Sequence, residues 1–229
     1  MEKLWHLGED DFFAGLDEER LRFLALARRR VLQKKDMIFF EEDPGDSCFY
    51  LESGLIKIFQ IAPSGKEPIF FLRRSGEFFG LAEVMEGERR KANAQALSPC
   101  IIHEMRGADF EFFLAANYPV ARKVIQTLGR RLRYLGEIAG SLMVCSVGTR
   151  LAKLLAYLCH EYIPSESGWH RPLTLPIKLT QEQLASMVGS TQQTVSELLK
   201  DYQAEGLIKI KGRQITVLNP LRLLEMAEL

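Results

Sequence analysis

The sequence lacks the cysteine arrangements that mark zinc, redox and disulfide proteins. Its four cysteines, Cys48, Cys100, Cys145 and Cys159, are scattered over 229 residues without a C-x-x-C pair. A zinc ribbon, a thioredoxin motif and a disulfide framework are therefore not expected. We predict reduced thiols in packed positions.

Long apolar runs and enzyme motifs are missing as well. No stretch approaches the roughly 20 residues that span a bilayer, and the opening MEKLWHLGEDDFFAGL is too acidic and broken for a signal peptide. We therefore expect a cytoplasmic protein that does not enter the membrane. Because no P-loop, G-x-S-x-G, H-E-x-x-H or clustered Cys/His set occurs, we expect no enzymatic activity.

An excess of charge of either sign is also absent, since 30 basic and 30 acidic residues give formal neutrality. Net charge therefore gives no support for nucleic-acid binding, and such a function has to be inferred from motifs. The hydrophobic share of 47% and the charged share of 26% match ordinary globular proteins with a full core. The length allows one or two folding units, and we take two.

Short β-type segments rich in Ile, Phe and Tyr run from about Met37 to Met105 and are separated by Gly, Pro, Ser and Asp turns. The segments are MIFFEE, CFYLES, LIKIFQIA, EPIFFLR and a predicted pair, ANAQALS and CIIHEMR. They predict a small β-barrel or roll. Leucines at roughly helical spacing predict a helix before them, near Asp17 to Arg28.

After Gly107 the pattern is helical, with a short segment to Asn117 and a longer one that begins near Pro119. Apolar residues recur in the longer segment at spacings of three and four. This seam consists of Ile125, Leu128, Leu132, Leu135, Ala139 and Leu142. Two interpretations are open: a helix packed on its own β-domain, and a self-pairing coiled coil, which the flanking charges fit better.

The clearest chemistry lies in LTQEQLASMVGSTQQTVSELLKDYQAEGLIKIKGRQITVLNP, which is typical of helix, tight turn, helix and hairpin. Thr180 and Gln183 predict a capping box, Gly189 the turn, and Ser190 or Thr191 the cap of the second helix. The candidate DNA-binding residues are Thr180, Ser190, Thr191, Gln192, Gln193, Ser196, Glu197, Lys200, Lys209, Lys211 and Arg213.

These residue types suit the chemistry of the major groove and of phosphate. Glutamine can bond adenine bidentately, glutamate can accept from the cytosine amino group, and a basic hairpin can contact phosphates as a wing. A helical hairpin that packs against a protein partner is the alternative interpretation. The capped helix pair, the glycine turn and the basic hairpin occur in the order typical of DNA binding, which favours that function.

With these residues in view, the chain resembles the CRP/FNR family of transcription regulators over roughly residues 20–220. FEEDPGDSCFYLESGLIKIF is similar to the family's opening strands, GEFFGLAEVMEGERRKANAQAL to its ligand-binding cassette, and IKLTQEQLASMVGSTQQTVSELLKDYQAEGLIKIKGRQITV to its winged helix. The resemblance implies an α+β fold. Its parts are an N-terminal β-roll of the cyclic-nucleotide-binding type over 1–117, a dimerisation helix over 118–145 and a winged helix-turn-helix over 146–229.

The resemblance also implies a function. We expect a homodimer that binds a palindromic operator in double-stranded DNA, under the control of a small-molecule or gas effector, with RNA polymerase as a partner if it activates promoters. The alternative is a cyclic-nucleotide-type regulatory module that docks a protein partner.

The effector site departs from that of the cyclic-AMP-binding members. Those members present a ribose-binding Glu, a phosphate-binding Arg-Ser pair and two purine-binding hydroxyls. Four of these polar contacts are lost here, at Leu81, Lys91, Leu135 and Gly136. Since each is worth about 1 kcal/mol or more in a buried site, we expect no cyclic-AMP response. The candidate effector-binding residues are Gly80, Leu81, Arg89, Arg90, Lys91, Leu135 and Gly136.

The three basic residues of this cassette, Arg89 to Lys91, either hold an anionic effector or form an exposed basic turn. Oxygen-sensing members carry an iron–sulfur cluster on an N-terminal cysteine group, but the first cysteine here is Cys48, so no cluster is expected. Other members bind haem. The candidate haem ligands are His6 and His103. Strand alternation predicts that His103 lies inside the roll. For His103, the alternative is a structural histidine of the core.

Overall fold

A computed structural model describes residues 11–160, 162–163 and 166–227. The chain forms two compact units that divide between Gly129 and Arg130. We call the first the β-roll unit and the second the winged-helix unit. The domain boundaries at residues 117 and 145 stay predictions.

The β-roll unit contains two four-stranded antiparallel sheets and the helices that cover one of them. Its elements are α1 (Asp17–Leu26), β1 (Arg28–Leu32), β2 (Met37–Phe39), β3 (Ser47–Ser53), β4 (Leu55–Phe59), β5 (Ile69–Arg74), β6 (Phe78–Phe79), α2 (Leu81–Glu86), β7 (Asn93–Ala96), β8 (Cys100–Arg106) and α3 (Gly107–Ala116). The strand orders are β1-β8-β3-β6 and β2-β7-β4-β5.

Strand β3 explains why the predicted segments are so apolar. Phe49 and Leu51 pack in the core between the two sheets. Cys48 and Tyr50 point the other way, into a second core that includes α1, α2 and α3. Because successive side chains face opposite sides of a strand, a strand covered on both faces is hydrophobic throughout.

Two local predictions differ from the structure. Helix α1 ends at Leu26, before the predicted end near Arg28. Arg28 begins β1, whose three arginines gave no β-type signal in the sequence. The segments ANAQALS and CIIHEMR form neighbouring strands in the chain, but β7 pairs with β2 and β4, whereas β8 pairs with β1 and β3. A short connection thus joins the two sheets.

The winged-helix unit begins within the long helix α4 (Tyr118–Val144), which crosses the division between the units. Its other elements are α5 (Val147–His160), a 3-10 helix (Glu166–His170), β9 (Leu173–Thr174), α6 (Gln181–Met187), α7 (Gln192–Ala204), β10 (Ile208–Lys211), β11 (Gln214–Val217) and α8 (Pro220–Ala227). Strands β10, β11 and β9 form a three-stranded antiparallel sheet.

All four cysteines are free thiols. Cys48, Cys100 and Cys159 are buried, and burial raises the pKa of each thiol, to about 12 for Cys159. Buried cysteines of this kind are inert. These three lie in packed positions as predicted, whereas Cys145 is half-buried.

Membrane-spanning helices and metal-binding clusters are both absent from the described residues. None of the helices is long and apolar enough to cross a membrane. No group of three or more His, Cys, Asp or Glu side chains there could hold a metal ion.

Candidate DNA-binding face and effector cassette

Both helices of the predicted helix-turn-helix begin at capped threonines. The Thr180 hydroxyl accepts from the backbone N–H of Gln183 at 3.1 Å, while the Gln183 side chain accepts from the N–H of Thr180 at 2.9 Å. The Thr191 hydroxyl accepts from the N–H of Thr194 at 3.2 Å. Gly189, at φ 62°, makes the left-handed turn between the helices. Ser190 lies half-buried in that turn, so the cap of α7 is Thr191.

Helix α7 has one buried and one exposed side. Val195, Leu199 and Tyr202 are buried. The candidate reading residues lie on the opposite side, where Ser196 is half-buried and the exposed ones are Gln192, Gln193, Glu197 and Lys200. The Gln193 amide donates to the Glu197 carboxylate at 3.2 Å, one helical turn away. This face offers donors and acceptors to an incoming surface.

Tyr202 joins α7 to the start of α5. Its hydroxyl donates to the carbonyl oxygen of Gly148 at 2.8 Å. Burial, reinforced by the Glu205 carboxylate, raises the pKa of Tyr202 to about 12. The tyrosine therefore stays protonated and keeps donating over the physiological range.

The hairpin of β10 and β11 carries three basic residues, Lys209, Lys211 and Arg213. All three are exposed, and their side chains make no hydrogen bond or ion pair with another described residue. Gly212, at φ 63°, forms the tight turn. Unpaired cations on a hairpin tip are free to meet phosphates.

A hollow of about 250 Å³ brings three separate parts of this face together. Thr180 at the start of α6, Gln192 at the start of α7 and Arg213 in the hairpin turn all line it. Helix N-termini with a nearby arginine favour an anion. The arrangement can therefore hold a phosphate beside the exposed polar side of α7.

The predicted effector cassette is centred on Arg90, which is 1% exposed. Its guanidinium donates to the carbonyl oxygens of Ser47 and of Gly80, the latter at 3.2 Å, and to the Glu83 carboxylate at 3.4 Å. It also lies over the ring of Phe39, with 4.3 Å to the ring centroid. Burial lowers the pKa of Arg90, and Glu83 opposes that effect.

Gly80 has to be a glycine in this arrangement. Its φ is +68°, and a Cβ atom would lie 2.7 Å from Nη1 of Arg90. Leu81 follows as the first residue of α2 and is buried. The structure thus brings Gly80, Leu81 and Arg90 together, with Arg90 already occupied by groups of its own domain.

The remaining effector candidates have other partners or belong to the winged-helix unit. Arg89 is exposed and donates to the carbonyl oxygen of Glu42 at 2.6 Å, and Lys91 is exposed beside Glu88 at 3.8 Å. The three basic residues therefore do not act as one cluster. Leu135 and Gly136 are exposed residues of α4 in the winged-helix unit.

His103 is buried on β8, but not inside the roll. Ile102 packs between the two sheets, whereas Met105, on the same face as His103, packs in the core that includes the helices. His103 Nε2 lies 2.6 Å from the Glu52 carboxylate. The other ring nitrogen, Nδ1, is buried and has no hydrogen-bond partner among the described residues. Because a haem iron needs a free ring nitrogen with space in front of it, the Glu52 contact makes Nε2 unsuitable as a haem ligand and leaves Nδ1 for that role. His6 lies outside the described residues.

The apolar seam of α4 divides into exposed and packed residues. Ile125 is 71% exposed and Leu132 73%. Leu135, Ala139 and Leu142 are exposed as well. Leu128 differs, since it packs against the helix-side core of its own β-roll unit. Leu128 therefore fits a helix packed on its own domain, and the self-pairing coiled coil stays a prediction for the exposed residues.

Some residues of these sites had no signal in the sequence. Glu83, Ser47 and Phe39 surround Arg90 from three different elements or loops, and nothing in their spacing relates them to it. Only the antiparallel pairing and the sharp turn at Gly80 bring them together.

Two family models match the chain. The model of the cyclic nucleotide-binding domain matches residues 29–117, and that of the Crp-like helix-turn-helix domain matches residues 149–226. A global nitrogen regulator of Synechococcus elongatus is 31% identical over 189 residues, which cover 81% of this chain and 83% of the relative.

Two further similarities extend over most of the chain. A CRP-like cAMP-activated global transcriptional regulator of Mycobacterium tuberculosis is 27% identical over 222 residues, covering 96% of this chain and 98% of the relative. The solved structure of FixK2 from Bradyrhizobium japonicum is similar with a TM-score of 0.75 at 20% identity, covering 87% of this chain and 96% of that one. The last similarity concerns the fold alone.

Proposed function

The chain belongs to the CRP/FNR family of transcription regulators, and we propose that it acts as a homodimer that reads a palindromic operator under the control of an effector in the β-roll. The observation that carries the proposal is the exposed polar side of α7 beside an unpaired basic hairpin. A protein that reads operators works beside the chromosome, so we place it in the cytoplasm. The relatives named above are regulators, and they do not favour the alternative of a protein-docking module.

Sequence reading is assigned to Gln192, Gln193, Ser196 and Glu197. The first turns of α7 enter the major groove, where the glutamines contact adenine and Glu197 accepts from cytosine. Lys209, Lys211 and Arg213 contact phosphates, which fixes the position of the domain without sequence information. The caps Thr180 and Thr191, the neighbouring Ser190 and the exposed Lys200 support the same contact surface. If the protein activates promoters, RNA polymerase is the further partner.

Dimerisation is assigned to the exposed residues of the α4 seam. Exposed leucines and isoleucines at heptad spacing on one helix favour pairing with a second copy. Such a dimer presents two equivalent α7 helices to half-sites about one helical turn apart, roughly 34 Å. Leu128 stabilises the β-roll unit instead of the dimer.

The effector is a small molecule or a gas, and we propose that it is not cyclic AMP. The relative from Mycobacterium tuberculosis is named as cAMP-activated, but Leu81 is apolar and buried here and Arg90 is already paired with Glu83. A cyclic phosphate would have to displace that carboxylate. Calorimetry tests this directly, and micromolar binding of cyclic AMP with tighter operator binding would contradict it.

Haem remains a separate candidate for the cofactor, through His103 or His6. Haem would supply an iron centre for a diatomic gas. An absorbance spectrum of fresh protein, with and without added haem, decides the question. Since Glu52 holds Nε2 of His103 and Nδ1 is buried, we expect no Soret band. A band that His103→Ala removes would establish haem binding.

The central experiment is a binding-site selection combined with sedimentation. We expect a two-fold symmetric site and a dimer at micromolar concentration. Leu132→Asp should produce a monomer that has lost specific binding, because a charge on the exposed seam opposes pairing. Leu128→Ala, which removes a packed residue, should lower stability but leave the dimer intact. A wild type that binds a single half-site as a monomer would refute the dimer.

A further inference from the structure

A cavity of about 480 Å³ lies within the winged-helix unit, away from the face assigned to DNA. The last turns of α4, one side of α5, the end of α6 and the end of α8 form its walls. The volume is within the range of small-molecule sites. Leu142 belongs to the α4 seam as well, and the other residues that line the cavity have no role in the proposed function.

Most of the wall is apolar. Residues recurring every three or four positions put one face of each helix toward the space, as with Arg150, Lys153, Leu154 and Tyr157 on α5. The apolar residues of the wall include Ile138, Leu142, Leu154, Met187, Val188 and Leu224. Such a wall favours a ligand with a hydrocarbon body.

Two cations line the cavity, and their partners differ. Arg150 is saturated by carbonyl oxygens, donating to Val188 at 2.8 Å, to Cys145 at 2.7 Å and to Gly189 at 3.4 Å. Lys153 donates to the Ser141 hydroxyl at 3.2 Å and to the Cys145 sulfur at 3.5 Å. Both partners of Lys153 are neutral, and no carboxylate pairs with it among the residues that the structure describes.

We propose that this cavity binds an amphipathic monocarboxylate, whose carboxylate accepts from Lys153 while its hydrocarbon body lies against the apolar wall. The Lys153 ammonium lies beside an apolar surface and has no anionic partner among the described residues. A carboxylate would accept a charge-assisted hydrogen bond from it, which is stronger than a hydrogen bond between neutral groups. A polyphosphate or nucleotide does not suit the site. The donors of Arg150 are taken, so Lys153 is the cation left for one anionic group.

The position of the cavity gives its occupancy a consequence for DNA binding. Arg150 joins the carbonyl of Cys145, just after α4, to the carbonyls of Val188 and Gly189 in the turn before α7. A ligand in the cavity contacts α4 on one side and Met187 and Val188 on the other. It therefore favours one position of the turn, and with it one position of α7. This consequence rests on the proposed function, but the binding site does not.

Calorimetry on the full-length protein tests the site, with decanoate as the probe and decanol as the uncharged comparison. We expect one decanoate per chain and at least tenfold weaker binding of decanol. Lys153→Met should weaken decanoate about tenfold and leave decanol unchanged, because one charge-assisted hydrogen bond is lost. Lys153→Arg should keep decanoate binding within a few fold of the wild type.

Lys66→Met is the matched control, since it removes the same charge from an exposed turn of the β-roll unit. It should bind decanoate like the wild type. Ser141→Phe, which fills the cavity from α4, should abolish binding of both probes. No decanoate binding by the wild type, equal losses in the two lysine variants, or full binding by a folded Ser141→Phe protein would overturn the proposal.

Operator titrations with and without decanoate test the consequence for DNA. We expect saturating decanoate to change operator affinity at least fivefold in the wild type and not in Lys153→Met. Equal affinities in a protein that binds decanoate would overturn the coupling and leave the site. A protein that binds decanoate but no DNA of any sequence would instead contradict the proposed function.

Discussion

The effector cassette and the DNA-binding face use the same kinds of polar residue in opposite ways. In the cassette, the buried Arg90 is held by two carbonyl oxygens and by Glu83. On the hairpin, Lys209, Lys211 and Arg213 are exposed, and their side chains make no hydrogen bond or ion pair with another described residue. A buried charge has to be paired within the fold, whereas an exposed unpaired one is available to a ligand.

Because of this difference in pairing, substitutions in the two regions should have different effects. A change in the cassette removes one partner of a buried pair and so acts on the stability of the β-roll unit. A change on the DNA-binding face removes a group that the fold does not use and so acts on affinity or specificity. The same distinction between buried, paired groups and exposed, unpaired ones applies to Tyr202, which is buried within the winged-helix unit. The expected effects run from the largest to the smallest.

Arg90→Met should lower the free energy of unfolding of the β-roll unit by about 3–5 kcal/mol, because it leaves Glu83 and the carbonyl oxygens of Ser47 and Gly80 without their donor. Scanning calorimetry measures the change. Arg89→Met is the control, since this neighbour is exposed and should cost less than about 0.5 kcal/mol. Equal effects of the two substitutions would mean that Arg90 does not hold the cassette together.

Glu197→Arg should change base preference at one position of each half-site and cost about 1–3 kcal/mol of affinity for the original operator. Because Glu197 is exposed, thermal stability should change little. A binding-site selection on both proteins measures the preference. An unchanged preference, with a changed one in hairpin variants, would show that the hairpin reads the sequence instead of α7.

Tyr202→Phe should destabilise the winged-helix unit by about 1 kcal/mol at neutral pH, since it removes the hydrogen bond to Gly148. The raised pKa of about 12 adds a dependence on pH. Between the ordinary tyrosine pKa near 10 and this value, the folded protein keeps a proton that the unfolded chain loses. Wild-type stability therefore falls as pH rises through this window.

The Tyr202→Phe variant lacks this contribution to the fall in stability. The difference in the free energy of unfolding between the two proteins should therefore narrow above pH 10, and urea unfolding at several pH values measures it. Tyr118→Phe, at an exposed position, is the control and should behave like the wild type. A constant difference between wild type and Tyr202→Phe up to pH 12 would argue against the raised pKa.

Lys209→Ala should weaken binding to all DNA sequences together and reduce the slope of affinity against salt by about one, because a phosphate contact carries charge without sequence information. The folding stability should stay unchanged. Titrations at several salt concentrations, on the operator and on an unrelated duplex, measure both effects. A loss confined to the operator would assign Lys209 to base reading.

Much of the DNA-binding face could be predicted because its determinants are local. Thr180 and Gln183 lie three residues apart, and the capping box needs only that spacing. Gly189 and Gly212 occupy left-handed turns that favour glycine. The exposed side of α7 follows from helical periodicity around Val195 and Leu199.

The cassette could be predicted only in part. Its position followed from the resemblance, and the loss of a polar residue at Leu81 was visible in the sequence. The sequence did not show that Arg90 is buried and paired, because its partner Ser47 lies 43 residues away in the chain. For the same reason, the sequence left open whether Arg89 to Lys91 hold an anion or form an exposed turn, since each side chain contacts a different neighbour.

The sequence by itself determined the family, the two kinds of architecture and the local caps and turns, because periodicity and capping act over three or four residues. Tertiary structure decided which face of β8 holds His103, that Leu128 packs on its own unit, and that Glu83 neutralises Arg90. These outcomes depend on strands and helices far apart in the chain meeting in one core. No pattern in a single segment encodes which distant side chain will face it.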